Sequence, residues 1–312
     1  MLKVDFINVG DGDAILLRCA GQGAATTVLV DCGRPYVEFT QGSLRGSCLD
    51  YLMREKIEKI DLLVLTHPHL DHIGGALSIL HHIQVAQIVA LYLPPEGAAW
   101  IHPPVREEKP LVGLCDLLNL WNDTVIFAKQ RGSICREAQA GSISLGGLQL
   151  TFYLPDAELI ARQKALFHAL YRNEFPPNDV VFPISKERNC SSLLLRVVYA
   201  GKSILLTGDS YASYWQSWAL PPCDILKVPH HGDGKSMTEP LIRSLHPEFA
   251  VISCQNDPTV KKDRPNVPVL ELLLQNVPHV LCTENRELPG YPAATREAVR
   301  FLVEANGGIA CF

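Results

Sequence analysis

The chain has 312 residues, of which 47% are hydrophobic and 20% are charged, and its formal net charge is −5 at pH 7. This balance predicts a soluble globular protein with a sizeable core, and it excludes a chain that attracts nucleic acid through its overall charge. Because no apolar run approaches about eighteen residues and the chain starts with the pattern of a strand, we expect no membrane span, no signal peptide and a cytoplasmic location.

The cysteines of the chain point to the same compartment. Ten of them are scattered without a CxxC pair. A chain of this length does not need a disulfide framework to be stable, so we expect free buried thiols in a reducing compartment.

Strands and helices alternate in the first part of the chain. Residues 4–9 form a short predicted strand that ends in a turn, where Gly10 and Gly12 suit backbone conformations that are closed to other residues. Further strands are predicted at 14–19, 26–30, 62–66, 87–93, 124–128, 142–145 and 149–154, and helices at 44–57, 73–83 and 111–122.

An insertion separates this part from a second alternating part. Residues 156–172 have the pattern of a polar helix, and residues 173–188, with three prolines, predict a long connection of the kind that often forms a lid. We expect a lid here, because the segment leads into candidate ligand residues. Strands are then predicted at 192–199, 202–206, 225–228, 249–253 and 280–283, and helices at 211–219, 239–244, 267–275 and 293–306.

A repeated sequence pattern relates the two parts. Arg18 and Asp31 lie thirteen residues apart across two predicted strands, and so do Arg196 and Asp209. We therefore predict one domain over 1–312, built from two similar halves at about 1–155 and 189–312 with an inserted helix and loop at 156–188. The alternation of strands and helices favours an α/β fold in which two sheets pack face to face with helices outside.

The densest group of polar residues follows the predicted strand 62–66. Within six residues, His67, His69, Asp71 and His72 place three imidazoles and one carboxylate beside one another. These are ligand types that suit zinc, and also manganese when carboxylate is present. His67 and His69 point the same way from an extended loop, and Asp71 and His72 stand at the start of the next helix. The pattern predicts a metal site.

Two later segments add candidate ligands. Asp209 directly follows an apolar strand, and His230 and His231 end the predicted strand 225–228. Alone, such an aspartate is a weak signal, because aspartates after strands usually serve turns or helix caps. Together with the first cluster, these residues exceed the ligand number of one tetrahedral zinc ion with an open position. We therefore predict two divalent ions, zinc or manganese, bridged by a carboxylate.

These motifs resemble those of the metallo-β-lactamase superfamily. The resemblance rests on HxHxDH after an apolar strand, on LLTGD, and on a strand that ends in PHHG. The segments 6–14, 30–33, 191–196 and 227–232 are similar to the hydrolase domain of ComEC-type competence proteins. The likeness runs from residue 2 to about 285, and it implies a four-layer αββα sandwich, internally duplicated, with a dinuclear metal site on its edge.

The resemblance also implies a ligand set, with His231 as the second choice for the position given to His230. The first metal would be held by His67 and His69, the second by Asp71, His72 and His230, and Asp209 would bridge the two. Many members of the superfamily have a further histidine between the halves, and this sequence departs from them with Asn189 and Cys190. Either one of these two residues completes the first site, or the first metal is weakly held.

Two cations would activate a bridging water, since one zinc ion lowers the pKa of a bound water from 15.7 to about 7. The predicted nucleophile is then a metal-bridging hydroxide. We expect Asp71 to orient it, so that Asp71 and Asp209 are the predicted catalytic residues. Asp13 or Asp31 would fix ligand histidines, and Asp31 serves equally well as a turn former.

Basic residues gather in segments that are expected to border the metals. Predicted substrate contacts are Lys227, Lys235, Lys262 and Arg264, and Lys186 and Arg188 stand on the loop that approaches the site. Such a patch suits a phosphate-containing substrate. With the ComEC-type resemblance, it makes hydrolysis of phosphodiesters in DNA, RNA or a nucleotide the first hypothesis, with no membrane partner. The alternatives are a small-ester, lactone or thioester hydrolase and a non-catalytic metal-binding module.

Overall fold

Two β-sheets packed face to face form the centre of the fold. The computed structural model describes residues 1–21, 25–38, 40–104, 109–256, 264–285, 291 and 293–312. In chain order, its strands are β1 (Leu2–Ile7), β2 (Ile15–Cys19), β3 (Thr26–Val30), β4 (Lys59–Ile60), β5 (Leu62–Leu65), β6 (Gln84–Val85), β7 (Gln87–Ala90), β8 (Ile134–Glu137), β9 (Gly141–Leu145), β10 (Leu148–Tyr153), β11 (Leu194–Tyr199), β12 (Lys202–Leu206), β13 (Ile225–Lys227), β14 (Phe249–Ile252), β15 (His279–Cys282), β16 (Glu284–Asn285), β17 (Ala294–Thr295), β18 (Ala298–Val303) and β19 (Ile309–Cys311).

The strands join in a mixed topology. Within the described residues, one sheet has eight strands in the order β19-β18-β1-β2-β3-β5-β7-β8, and the other has seven in the order β15-β14-β13-β12-β11-β10-β9. The helices are α1 (Cys48–Arg54), α2 (Leu70–Ile73), α3 (Ala76–His82), α4 (Lys109–Gln130), α5 (Ala157–Tyr171), α6 (Asn178–Lys186), α7 (Ala212–Trp215), α8 (Glu239–Leu245) and α9 (Val267–Asn276).

The strands are apolar on both faces because each sheet is covered on both sides. In β2, Leu17 faces the second sheet and Leu16 faces the outer helices. In β11, Leu195 faces the first sheet and Leu194 faces the opposite helical layer. This alternation with a period of two is the geometry of a strand.

The helices form the two outer layers. Buried residues of α1, α3, α4, α5 and α6 pack on the outer face of the first sheet, and those of α7, α8 and α9 pack on the outer face of the second. The four layers follow the order αββα, so the predicted fold class is confirmed.

The helix α4 is longer than predicted. A strand was predicted at 124–128, and that prediction is wrong because these residues continue the helix. Leu118, Trp121, Val125 and Ala128 are buried at helical spacing on one face. By length and composition α4 is apolar enough to cross a membrane, but 61% of its apolar window is buried inside the protein, as in a core helix.

The inserted segment 156–188 contains two helices. The first, α5, lies where a polar helix was predicted, but α6 lies in the segment 173–188, for which no regular structure was predicted, and that prediction is wrong. Pro177 caps the start of α6. A backbone N–H at this position would have no hydrogen-bond partner within the helix, so the N–H that proline lacks is not missed there. Val181 is fully buried in the cluster that contains α4, and this packing offsets the cost of Pro183 inside the helix.

The end of the chain forms strands, and the helix predicted at 293–306 is wrong. The strand β18 pairs antiparallel with β1, so that Val303 lies opposite Leu2. Val299, Phe301 and Val303 alternate into the core between the sheets. The period of two in this segment is that of a strand, and the open side of β1 provides its partner.

The sheets do not follow the predicted boundaries of the two halves. The strands β9 and β10 belong to the second sheet, whereas β18 and β19 join the first. The repeated unit is smaller. It consists of an antiparallel hairpin, β2–β3 or β11–β12, followed by a parallel strand, β5 or β13. The parallel pairs bring the carboxyl ends of their strands to one edge, where the loops that carry the candidate ligands begin.

The strand β18 leads to a test of this fold. Phe301 is 1% exposed and its ring contacts those of Phe6 and Phe249, whereas Phe312 is 69% exposed. We expect Phe301→Ala to lower the free energy of unfolding by about 3–5 kcal/mol, and the matched Phe312→Ala to change it by less than about 0.5 kcal/mol. Urea unfolding measures both. Equal effects of the two substitutions would contradict the position of β18.

Candidate metal centre

The site lies where three strands end. The strand β5 leads to His67, β12 leads to Asp209, and β13 leads to His230 and His231. The amide of His230 donates a hydrogen bond to the carbonyl of Gly208 at 3.2 Å. Because β5 belongs to one sheet and the other two strands to its partner, the site spans both sheets.

Asp209 is at the centre of this group. Its Oδ2 lies 3.9 Å from Nε2 of His67, 3.2 Å from Nε2 of His72, 3.8 Å from Nε2 of His230 and 3.6 Å from Nε2 of His231. Burial disfavours its charged form, but His72, His231 and Lys227 outweigh burial and hold the pKa of Asp209 well below its usual range. Asp209 is therefore a carboxylate, in the position predicted for a bridging ligand.

The first group of candidate ligands comprises His67, His69 and Asp209, whose ligand atoms all lie within 4.8 Å of one another. Nε2 of His67 and Nδ1 of His69 are 3.0 Å apart. Burial is the largest influence on both rings, and it lowers the pKa of His67 well below its usual range and that of His69 to about 3. Both rings are neutral near pH 7, which is the form that binds a cation.

The second group comprises Asp71, His72, Asp209 and His231, again with ligand atoms within 4.8 Å of one another. This grouping contains His231 in place of His230, so for the second metal the geometry favours the second choice, His231, over His230. Nδ1 of His231 bonds to the carbonyl oxygen of Ser253 at 2.9 Å, and among the described residues Nε2 has no hydrogen-bond partner. A buried ring nitrogen aimed at two carboxylates fits a divalent cation.

His230 has other partners. Nδ2 of Asn189 and Nη2 of Arg264 donate to its Nε2, at 3.0 Å and 2.6 Å respectively. Asn189 thus reaches the site through His230. Cys190 does not reach it, because its thiol is hydrogen-bonded to Tyr214 and burial raises its pKa, which opposes a thiolate. Asn189 therefore contacts a histidine of the site, and the completion of the first metal site stays a prediction.

Asp31 holds His72 in place. Its carboxylate accepts hydrogen bonds from the amide and the hydroxyl of Thr66, both at 2.8 Å, and lies 2.7 Å from Nδ1 of His72. These contacts direct Nε2 of His72 toward Asp209. Of the two roles weighed for Asp31, the geometry therefore favours orientation of a ligand histidine. The contribution of Thr66 was missed, and its position at the end of β5 was the available signal.

Asp13 is fully buried and pairs with Lys227. Lys227 was predicted to contact substrate, and that prediction is wrong, because the side chain points inward from β13 and is 0% exposed. Its Nζ also donates to the carbonyl of Gly208 at 2.9 Å and lies 3.7 Å from Oδ1 of Asp209. The ammonium group therefore supports the carboxylates from behind the site.

The other predicted substrate cations lie at the rim or outside the described residues. Arg264 is in contact with His230, and the exposed Lys235 lies over the ring of Tyr211, which packs against His230. Lys262 lies in the segment 257–263, outside the described residues. Basic side chains therefore border the His230 side of the site.

A groove of 620 Å³ opens beside the ligands His69 and Asp71. Residues of α4 also line it: Gly113 and Asp116 are exposed, Leu120 is half-buried, and Leu114 and Leu117 are buried. Arg34 and Arg188 also line it. Arg34 was missed in the sequence, where no pattern distinguishes it.

The backbone at the histidine pair is unusual. His230 and His231 have φ values of 48° and 56°, and Gly232 follows with 78°. Non-glycine residues rarely adopt this left-handed region, and such strain persists where the surrounding structure enforces it, often at functional sites. The two successive residues turn both rings toward Asp209.

A family model described as the metallo-beta-lactamase superfamily matches residues 7–255. The chain belongs to the metallo-β-lactamase superfamily. It is a metal-dependent hydrolase of that superfamily, whose fold implies divalent metal ions, and the two ligand groups described above fit such ions.

Two curated relatives of this metallo-β-lactamase chain extend the comparison. ComE operon protein 3 of Bacillus subtilis is 27% identical over 296 residues, which cover 90% of this chain and 32% of that protein. Recombination protein 2 of Haemophilus influenzae is 25% identical over 253 residues, which cover 80% of this chain and 24% of that protein. These matches confirm the ComEC-type resemblance, although the chain spans only about a third and a quarter of the relatives' lengths.

A solved structure aligns with most of the chain. The metallo-beta-lactamase fold protein YhfI from Bacillus subtilis aligns with a TM-score of 0.49 at 12% identity, and the alignment covers 90% of this chain and 96% of that one.

The histidine pair gives a test of the ligand assignment. His231→Ala removes a candidate ligand of the metallo-β-lactamase site, and we expect it to lower the number of tightly bound divalent ions by about one per chain. We expect His230→Ala to leave the ion of the second group in place. Elemental analysis after dialysis measures both. A lower metal content in His230→Ala with a normal one in His231→Ala would restore the original assignment.

The buried lysine gives a test of the interior charges. We expect Lys227→Met to lower the free energy of unfolding by about 3–5 kcal/mol, because it leaves the Asp13 carboxylate buried without its cation. Lys235→Met removes the same charge from an exposed position, and its effect should lie within about 0.5 kcal/mol. Urea unfolding in EDTA compares the two. If Lys227→Met is as stable as Lys235→Met, the ion pair has no structural role.

Proposed function

We propose that this protein is a phosphodiesterase that acts on DNA, RNA or a nucleotide, with two divalent ions of zinc or manganese as cofactors. The observation that carries the proposal is the convergence of four imidazoles on the Asp209 carboxylate at an edge that is bordered by basic side chains. A charged phosphate ester needs both an activated water and cations that offset its negative charge.

The site residues have separate roles in holding the ions and orienting the water. His67, His69 and Asp209 would hold one ion, and Asp71, His72 and His231, with Asp209 shared, would hold the other. When bound, such a pair of ions supplies an acidified water and positive charge for the developing anion. Asp71 borders the groove with 15% of its side chain exposed, so its carboxylate can accept a hydrogen bond from the attacking water and orient it.

The distribution of charge supports an anionic substrate. The chain as a whole carries a formal charge of −5, yet Arg264 and Lys235 border one side of the site and Arg34 and Arg188 line the groove on the other. Local positive charge in an acidic protein attracts an anion to the place where it is concentrated. The name of one relative, a recombination protein, refers to a process that acts on DNA, and it agrees with this substrate class.

The apolar residues of α4 at the groove favour a second candidate. The half-buried Leu120, with the buried Leu114 and Leu117 beside it, would suit the acyl group of a small ester, lactone or thioester. The same residues also suit a nucleobase, so the two candidates differ in the use that they make of the arginines and lysines.

The proposal is tested with single-stranded DNA and with bis-p-nitrophenyl phosphate in the presence of Mn²⁺ or Zn²⁺. We expect cleavage that depends on the metal, and a loss of at least about 100-fold in kcat/KM in His69→Ala, because a ligand of the catalytic ion is removed. His82→Ala, which changes an exposed histidine of α3, serves as the matched control.

Two outcomes contradict the proposal. Turnover of p-nitrophenyl acetate or a thioester without turnover of either phosphodiester would establish the second candidate. Fewer than two metal ions per chain, with no turnover of any of these substrates, would indicate a non-catalytic metal-binding module.

A further inference from the structure

Two arginines from separate parts of the chain border the candidate ligand Asp71. Arg34 lies in the loop after β3, and its Nη2 lies 3.7 Å from Oδ2 of Asp71. Arg188 follows α6 at the end of the insertion, and its Nη1 donates to the carbonyl of Pro68 at 3.3 Å. Both side chains line the groove together with His69 and Asp71. Two guanidinium groups therefore flank the entrance to the candidate metal centre.

Arg188 is held in place by backbone carbonyl groups. Its Nε donates to the carbonyl of Ser185 at 3.0 Å, so its known hydrogen bonds go to backbone carbonyls. Burial lowers the pKa of Arg188 to about 10, with a weaker opposing effect of Asp71, and the side chain is still charged near pH 7. In the part of the chain that the structure describes, Arg188 forms no salt bridge within 4.0 Å. Arg188 is half-buried, and a charge that is withdrawn from much of the solvent is normally paired, so an anion is the expected partner.

The remaining donors suit a phosphate. A guanidinium group carries five N–H donors in a planar fork, and carbonyl groups occupy two of those of Arg188. Arg34 has a side-chain exposure of 32% and only a loose contact with Asp71, so its fork is also accessible. Such forks match two oxygens of one phosphate, which an ammonium group cannot do.

The α4 side of the groove has different chemistry. The exposed Gly113 and the half-buried Leu120 border the groove, while Leu114 and Leu117 are buried beside them, and a Cβ placed on Gly113 would meet no described atom within 4 Å outside its own helix backbone. Asp116 on the same helix also borders the groove and would repel a second phosphate there. This end therefore suits an uncharged, flat group such as a nucleobase.

We infer that Arg34 and Arg188 bind the phosphate of the substrate beside Asp71, and that the face of α4 around Gly113 binds the adjacent nucleobase. The inference rests on the proposed phosphodiesterase function and makes it more specific. The substrate class is a nucleoside phosphodiester, with the phosphate at the arginines and the base on α4. The groove volume of 620 Å³ lies within the range of about 300–1,000 Å³ that is common for small-molecule sites.

The experiment compares four variants with thymidine 5′-p-nitrophenyl phosphate as substrate. We expect Arg34→Ala and Arg188→Lys each to lower kcat/KM by about 10–100-fold, since hydrogen bonds to a charged group are lost. Arg188→Lys retains the positive charge and a donor, which protects the fold. We expect Gly113→Leu to raise KM for this nucleotide by about 10-fold or more, but to leave bis-p-nitrophenyl phosphate less affected, because leucine fills the nucleobase end. Arg243→Ala removes an exposed arginine of α8 and is the matched control.

A binding measurement separates this inference from the proposed function. Calorimetry with thymidine 5′-monophosphate in EDTA reports phosphate binding without turnover, and we expect Arg34→Ala and Arg188→Lys to weaken it relative to Arg243→Ala. If the wild type cleaves phosphodiesters but neither arginine variant differs from Arg243→Ala, the arginine site is wrong and the proposed function stands. If the wild type cleaves no phosphodiester in either metal, the proposed function fails, and the calorimetry alone decides whether the arginines bind phosphate.

Discussion

The site depends on one imidazole ring that is held between two carboxylates. Nδ1 of His72 lies 2.7 Å from Asp31, and Nε2 lies 3.2 Å from Asp209. Burial opposes the charged form of the ring, but the two carboxylates outweigh it and raise the pKa of His72 well above its usual range. Because a cation needs the neutral ring, metal binding here is coupled to the release of a proton. Asp31 and Asp209 end equivalent strands of the two hairpins, so this ring also joins the two sheets.

The buried charges around this ring explain why the edge needs cations. Asp13, Asp31 and Asp209 are all buried, and Asp71 lies beside them at the entrance. Lys227 supplies one positive charge from inside the second sheet. Uncompensated carboxylates so close together are costly in a protein interior, and divalent ions would offset that cost at the position where chemistry takes place. The same feature thus links the stability of the fold to its function.

The fold could be predicted where local pattern and tertiary packing agree. Strands such as β5 and β12 are apolar on both faces and end in polar loops. The apolar run and the polar loop are neighbours in the sequence, so both can be recognised without the tertiary structure. The predictions failed where packing overrode a local signal. The prolines around α6 suggested a loop, and Val181 made it a helix by packing against α4. The last segment became β18 because β1 offered a partner almost the whole chain away.

The sequence by itself determined the superfamily, the αββα class and most residues of the candidate metal centre, because His67 to His72 lie within one short loop whose ligand types are specific. Tertiary structure alone decided that His231 joins Asp71 and His72, that Lys227 points inward to Asp13, and that Arg34 and Arg188 line the same groove. These outcomes depend on left-handed backbone angles and on contacts between segments far apart in the chain. Spacing along a sequence carries no information about either, because side-chain direction is set only when both sheets have packed.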